Sequence, residues 1–309
     1  MKSYRQVPRL SLADYHQVET RESFERELFA ALSEYGFVVI KDHGIHASTF
    51  ASAYQLAETF FKLPLAIKEK YEQGNGQRGY IAFGKESAKG NPHPDLKEYW
   101  HVGPELSPGS SYYDEYPKNV WPDELPEFRT FFLELHARLE AVALDLLQAL
   151  AASMSVSPHF FSELIREGNS VQRLIHYPAL ASFDTGSSIR AAAHADINLM
   201  TLLVGATDSG LELLDRDGTW LPVENQENDL VIDTGDMMAR LTNNVLPATV
   251  HRVVNPKELG KPRYSIPFFV HPHNGAVLSC LPAYSNGERQ FDDITAGEFL
   301  KQRLRENGF

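Results

Sequence analysis

His194-Ala195-Asp196, then a lone His251, then Arg263-Tyr264-Ser265 are the residues of this chain whose types and order could carry out chemistry. Two imidazoles and one carboxylate can hold one face of a divalent iron and leave the opposite face open to substrate and oxygen. In an extended strand, side chains two positions apart leave the same face. The spacing therefore predicts that His194 and Asp196 project together from one strand, and Arg263 and Ser265 from another. With both pairs inside one barrel, the chain would present a metal and, some distance off, a guanidinium with a hydroxyl beside it. That arrangement fits a molecule with two acidic ends.

A single H-x-D tripeptide carries little weight in a chain with 12 histidines, and a second copy stands at His93-Pro94-Asp95. Proline cannot donate a ladder hydrogen bond, and this copy follows the turn-forming residues Lys89-Gly90-Asn91-Pro92, so it belongs to a loop. The copy at 194 instead opens Ile197-Asn198-Leu199-Met200-Thr201-Leu202-Leu203-Val204, an apolar run ending at Gly205 and expected as a strand buried on both faces. His251 lies in the β-branched run Ala248–Val254, which reads as another strand. Alone, it would pass for a core or rim histidine with a satisfied hydrogen bond. The arginine that follows changes its weight. Within Arg263-Tyr264-Ser265-Ile266-Pro267-Phe268-Phe269-Val270 an inward guanidinium among aromatics is costly unless an anion meets it.

Further segments fall in order around these residues. Val7-Pro8 with Leu10-Ser11-Leu12, Tyr35-Gly36-Phe37-Val38-Val39-Ile40, Asp42-His43-Gly44-Ile45 and Phe60-Phe61-Lys62-Leu63-Pro64 open the chain. Gly79-Tyr80, Glu86, Asp95-Leu96-Lys97-Glu98 with Trp100, Arg173-Leu174-Ile175-His176-Tyr177-Pro178, Gly235-Asp236 and Leu241-Thr242-Asn243 follow. Together with the triad and the R-x-S they resemble the isopenicillin N synthase-like branch of the iron(II)- and 2-oxoglutarate-dependent dioxygenases. The resemblance spans nearly the whole chain.

What the resemblance implies is specific. Fe(2+) would be held by His194, Asp196 and His251, with 2-oxoglutarate as cosubstrate and O2 as oxidant. Arg263 would fix the far carboxylate of 2-oxoglutarate, with Ser265 donating a further hydrogen bond and Tyr177 beside the cosubstrate. Decarboxylation to succinate and carbon dioxide would drive hydroxylation, desaturation or ring closure of an unidentified small molecule. His176 and Arg173, and Tyr80 and Trp100 with Arg78 and Lys97 from the segment expected over the barrel mouth, are the substrate-side candidates. Two other readings stay open here. An iron oxidase of the same fold that does without 2-oxoglutarate, of the isopenicillin N synthase or aminocyclopropanecarboxylate oxidase type, shares the R-x-S; a non-catalytic metal-stabilised jelly roll would usually close the metal's coordination shell.

The elements that must position these groups are legible in part. Phe24, Leu28, Ala31, Leu32 and Tyr35 fall at helical spacing with Gly36 as a stop, and Phe50, Tyr54, Ala57 and Phe61 suggest a second helix. From Pro126 onward Phe128, Phe132, Leu135, Leu139, Val142, Leu146 and Leu150 form one apolar stripe, expected as the long helix backing the sheet. Short strands then follow: Gly210–Leu214, a turn at Asp217-Gly218, Thr219–Val223, and Asp229–Asp233 ending in a Thr234-Gly235-Asp236 turn. A helix with Phe299, Leu300 and Leu304 closes the chain. The expected fold is mainly β with α: a double-stranded β-helix, or jelly roll, with N-terminal helices and a long backing helix. Residues 1–120 would form the N-terminal non-haem dioxygenase region and 121–309 the backing helix and core, with catalytic strands over about 171–275, in one compact unit.

Composition narrows the setting. With 309 residues, 43% hydrophobic and 23% charged, the chain can bury a sizeable core. A formal net charge of −12 argues against general nucleic-acid or membrane-surface binding, because phosphates and anionic lipids need positive patches. The expected partner is a small molecule, and the sequence leaves the oligomeric state open. A single cysteine, Cys280, cannot form an internal disulfide or hold an iron–sulfur cluster, and reads as a small buried hydrophobe. No G-x-G-x-x-G opens a βαβ unit, so no flavin or nicotinamide domain is expected and electrons should come from 2-oxoglutarate. Met1-Lys2-Ser3-Tyr4-Arg5-Gln6 leads into no apolar signal region, which points to the cytoplasm. His271-Pro272-His273 is set aside as a second metal pair, since proline interrupts the strand and no third ligand is near in sequence.

Overall fold

The computed structural model describes residues 5–74, 76–86, 93–181, 188–224, 226, 228–256, 258–285 and 287–306; positions 89–92 of the expected loop and 1–4 of the N-terminus lie outside them. The first half runs β1 (Arg9–Ser11), α1 (Leu12–His16), α2 (Val18–Tyr35), β2 (Phe37–Lys41), α3 (Ala47–Phe61), α4 (Leu65–Lys68), β3 (Gly79–Ile81), β4 (Glu98–Val102), α5 (Glu127–Ser153) and α6 (Phe160–Ile165). The second runs β5 (Val171–Tyr177), β6 (Ala191–His194), β7 (Met200–Val204), β8 (Leu211–Leu214), β9 (Trp220–Pro222), β10 (Leu230–Thr234), α7 (Asp236–Leu241), β11 (His251–Val253), β12 (Arg263–Val270), β13 (Val277–Leu278), β14 (Ile294–Thr295) and α8 (Ala296–Glu306).

Two sheets face each other. The larger has the order β1-β2-β10-β7-β12-β5-β4-β3 and the smaller β6-β11-β8-β9. Strands β10, β7, β12 and β5 opposite β6, β11, β8 and β9 make the double-stranded β-helix, and strands from the N-terminal region extend the larger sheet at both edges. Pairing is antiparallel except between β1 and β2.

Strand parity decides what each face does. On the outer face Val38, Trp100, Leu174, Leu202, Ile232, Ile266 and Phe268 join one core with Phe60 of α3 and Phe128, Phe132 and Leu146 of α5. Full burial of a side chain of this size is worth about 1.5–3 kcal/mol. Residues of the opposite parity point between the sheets, in two smaller clusters. Phe37, Val39 and Val231 meet Leu213 and Leu221, while Tyr99, Ile175 and Tyr177 meet Ala191 and Val253. The stop after α2 is Gly36, at φ 68°, where a Cβ would come within 2.1 Å of Thr249 Oγ1. Glycine is required there twice over, by backbone conformation and by space.

One expectation is corrected. The run 197–204 is not one strand carrying the H-x-D: β6 stops at His194, β7 starts at Met200, and they belong to different sheets. Asp196 sits in the loop that crosses between them. The turn expected at 234–236 leads directly into α7, with Gly235 as its N-cap.

Candidate active site

The chain crossing from β6 to β7 brings three side chains together. His194 ends β6, His251 opens β11 directly opposite it in register, and Asp196 turns back from the crossing loop. His194 Nε2 lies 3.7 Å and His251 Nε2 3.8 Å from Asp196 Oδ1. One ligand atom from each residue falls within 4.8 Å of the others, the one such cluster among the described residues. The two imidazoles are oriented alike. Nδ1 of His194 donates to Ala192 O at 2.7 Å and Nδ1 of His251 to Thr249 O at 3.2 Å. A carbonyl only accepts, so both Nε2 lone pairs are left facing Asp196.

The carboxylate is held from behind. Asp196 Oδ2 accepts from Thr201 Oγ1, while Asn198 Nδ2 ties the loop to Met200 O at 2.8 Å. The first turn of α7 holds the loop's backbone: Asp236 N donates to Asp196 O at 2.8 Å, and Met237 N to Ile197 O at 3.2 Å and Asn198 O at 3.1 Å. Burial alone would push the Asp196 carboxyl up, but His251 and His194 outweigh it and hold it below the ordinary range. Burial, then His194, pushes His251 down to about 4. Near neutral pH the cluster offers an ionised carboxylate and at least one neutral imidazole. Two nitrogens and one oxygen on one side of an opening suit a divalent iron.

At the other end of β5 and β12, Arg263 pairs in register with Tyr177, and Ser265 with Ile175. Arg263 is 1% exposed; its Nε donates to Asp208 O at 3.1 Å, and its Cζ stands 4.9 Å from the Tyr177 ring centre. Its Nη1 is sealed with no hydrogen-bond partner among the described residues. A second buried guanidinium, Arg190, approaches the same ring at 5.9 Å; it pairs with Asp208 at 2.9 Å, and its Nε is also sealed without a partner among the described residues. Orphaned donors of this kind call for an acceptor, and a carboxylate supplies one.

A cavity of about 260 Å³ opens beside His194 and Asp196, with Arg173, Lys97, Glu86, Phe269 and Leu300 among its lining residues. Arg263, Ser265, Tyr177 and His251 do not line it; they pack between the sheets. Of the substrate-side candidates, Arg173, Arg78 and Lys97 reach the cavity, whereas His176, Tyr80 and Trp100 do not. The physical reason is parity: the row His101–Arg173 faces inward, and the rows Tyr80–Trp100–Leu174 and Glu98–His176–Tyr264 face the helices. His176 Nδ1 donates to Glu98 Oε1 at 2.7 Å and its ring stacks on Tyr264; Tyr80 donates to Glu98 Oε2; Trp100 is fully buried against Phe60 and Phe128. None of the three overhangs a mouth.

Sequence reasoning missed Arg190, Thr201, Glu86 as a cavity group, and His101. Thr201 was one of two polar residues, with Asn198, inside an otherwise apolar run, and Arg190 shares His194's parity four residues earlier. Glu86 and His101 carried no such signal.

Residues 168–272 match the family described as the 2OG-Fe(II) oxygenase superfamily, and residues 7–124 the family described as non-haem dioxygenase in morphine synthesis N-terminal. The chain is 34% identical to a proline hydroxylase of Petromyces alliaceus, over 97% of this chain and 98% of that protein. Its fold is similar to that of a 2OG-Fe(II) oxygenase family protein from Caulobacter crescentus, at a TM-score of 0.87, 44% identity and coverage of 96% and 98%. It is also similar to a full-length Neurospora crassa protein solved with alpha-KG and thymine, at a TM-score of 0.86, 27% identity and coverage of 97% and 96%. The chain belongs to the 2OG-Fe(II) oxygenase superfamily and is an iron(II)- and 2-oxoglutarate-dependent dioxygenase.

Proposed function

We propose that His194, Asp196 and His251 hold the iron, that Arg263 with Ser265 and Tyr177 receives the far carboxylate of 2-oxoglutarate, and that the cavity beside His194 takes the primary substrate. Iron(II) with 2-oxoglutarate and O2 supplies oxidation of a small molecule by hydroxylation, desaturation or ring closure, coupled to release of succinate and carbon dioxide. The protein's own part is orientation. Thr201 and α7 fix the Asp196 carboxylate, the carbonyls of Ala192 and Thr249 fix the imidazoles, and the sheets exclude water from the anion end. We read residues 1–120 and 121–309 as working as one unit, because β3, β4, β1 and β2 pair onto the edges of the core sheet. A cytoplasmic setting suits a chain whose one thiol, Cys280, is free.

The observation that carries the assignment is the sealed, partnerless Nη1 of Arg263. Losing a bidentate charge-assisted pair in such a pocket costs about 2–5 kcal/mol. Arg263→Leu should therefore weaken 2-oxoglutarate binding at least about tenfold with the iron still bound. Arg263→Lys should recover part of it, since a point charge cannot reproduce the fork. The check is anaerobic titration of the visible charge-transfer band of the iron and 2-oxoglutarate complex. An Arg263→Leu variant that titrates like wild type sinks the assignment of the clamp.

A further inference from the structure

The cavity beside His194 and Asp196 is walled by a charge network that does not balance. Lys97 Nζ lies 2.8 Å from both Glu86 Oε2 and Asp95 Oδ2, and Arg173 Nη1 lies 3.3 Å from Glu86 Oε2. Arg78, 1% exposed, has no carboxylate partner among the described residues; it donates to Asn169 Oδ1 and Gln77 O, each at 2.7 Å, and its Nε has no partner. Two more charged residues line the cavity: Asp196, which the iron would claim, and Arg303, which is met by Asp236 at 3.3 Å and Glu306 at 3.4 Å. With these set aside, two carboxylates face three cations, leaving one positive charge. His101 and His271 do not alter the balance. Burial, then Arg173, holds His101 well below its ordinary range, and burial pushes His271 down to about 4. Burial alone would push Glu86 up, but Arg173 and Lys97 outweigh it and keep it ionised.

Arg173 shares the one Glu86 carboxylate with Lys97, so it is only partly neutralised and presents part of this charge to the cavity. Its Nε donates to His101 Nε2 at 2.6 Å, and His101 Nδ1 in turn donates to Gly76 O at 3.1 Å. Its guanidinium lies between two rings, 4.3 Å from the centre of Tyr99 and 5.1 Å from that of Phe269. These contacts fix the plane of the fork. The side chain is 18% exposed, and its Nη2 makes no hydrogen bond among the described residues, so it is free to meet a ligand in the cavity it lines. Phe269, Ile197, Leu300 and Leu304 supply apolar wall around it. An excess buried charge beside apolar surface favours a ligand with one anionic end and an apolar body.

We propose that the primary substrate is a small carboxylic acid of single negative charge, whose carboxylate seats on Arg173 and whose apolar remainder lies against Phe269 and Leu300. This rests on the reading that the iron sits at His194, Asp196 and His251. The test is calorimetric titration of the anaerobic iron and 2-oxoglutarate complex with a panel of small amino and aryl carboxylic acids, each beside its own primary amide. Binding should be confined to acids. Arg173→Gln should weaken the tightest acid at least about tenfold while its affinity for 2-oxoglutarate stays at the wild-type value, and Arg173→Lys should retain part of the binding. Amides that bind as tightly as their acids, a panel in which no acid binds at millimolar concentration, or an Arg173→Gln protein that binds acids like wild type would each overturn it. The two levels fail differently. A wild-type protein that binds no iron or no 2-oxoglutarate overturns the site beneath the proposal, whereas normal 2-oxoglutarate binding without preference for acids overturns the substrate class alone.

Discussion

Glu98 gathers two of the substrate-side candidates, His176 and Tyr80, into a buried cluster. Its carboxylate accepts from Lys68 Nζ at 2.7 Å, from His176 Nδ1 at 2.7 Å and from the Tyr80 hydroxyl, all on the helix side of the larger sheet. Burial alone would push its carboxyl up; the hydrogen bonds from His176, Lys68 and Tyr80 outweigh burial and hold it down. The Lys68 and Glu98 side chains are 9% and 8% exposed, so removing one partner strands the other's charge in the core. Glu98→Ala should cost about 3–5 kcal/mol of stability, whereas the double change Lys68→Met with Glu98→Leu should recover much of it. Urea denaturation of the three proteins tests this, and a Glu98→Ala midpoint equal to wild type defeats it. The sequence made His176 and Tyr80 look like substrate residues because motif order places them near the site in the chain, while parity, which depends on where β3, β4 and β5 begin, sends them to the other face. By contrast His194, Asp196 and His251 were legible as a set, because a carboxylate and two imidazoles in that order beside R-x-S have few structural uses.

Among the elements, α7 does more than connect β10 to β11. The loop carrying Asp196 has no ladder of its own; its carbonyls are satisfied by backbone N–H groups at the start of α7, and Gly235 N donates to Leu199 O at 3.2 Å. This contact needs a residue without a side chain. A Cβ on Gly235 would come within 2.3 Å of Asn198 O and 2.6 Å of Asn198 Oδ1, and the backbone, at φ −103°, raises no objection of its own. Gly235→Ala should therefore act through space, pushing the loop off α7 and moving Asp196 relative to the imidazoles. The expected result is at least about a tenfold loss of iron affinity, the size seen when outer-shell support of a ligand is lost, alongside a destabilisation of about 1–3 kcal/mol. Calorimetric iron titration decides it; wild-type affinity in Gly235→Ala would mean that the loop is held by something other than α7. The helix itself was not legible, since Gly235-Asp236 reads as a turn and Asp236-Met237-Met238-Ala239-Arg240-Leu241 is too short for its period to stand out. Helices α2, α3 and α5 were legible, because 15 or more residues of apolar period leave no competing reading.

Across the whole molecule, the two-sheet core with its helical coat was legible from short strands following a long amphipathic stripe, but the assignment of β6 and β7 to different sheets was not, because an apolar run does not say where the chain crosses over. That coat also sets the response to acid. His136 lies on α5 where the helix packs on the larger sheet, edge-on to Phe268 at 4.8 Å, and its Nε2 is 3.3 Å from Ser170 O. Burial pushes His136 down to about 4, and does the same to His271 at the end of β12. In the unfolded chain a histidine takes its proton near pH 6.5, so between about pH 6.5 and 4 the unfolded state binds more protons than the folded one, and stability falls as pH falls. Two effects act the other way: the net charge of −12 at pH 7 shrinks towards a pI of about 5.5 and relieves self-repulsion, and burial with Asp196 pushes the Asp233 carboxyl well above its ordinary range, so that the folded state holds that proton first. The buried imidazoles should win, since each of His101, His136, His251 and His271 is held down and a shift of that size withholds on the order of 2 kcal/mol by pH 5, against one raised carboxyl and surface charges screened by salt. Wild type should accordingly lose stability between pH 7 and pH 5. His136→Phe should be less stable at pH 7, because Ser170 O loses its partner, yet show a pH 7 to pH 5 difference smaller by about 2 kcal/mol. Urea midpoints of both proteins at the two pH values, in 0.15 M salt, give the answer. An unchanged difference in His136→Phe would mean that His136 takes up its proton without the helix leaving the sheet.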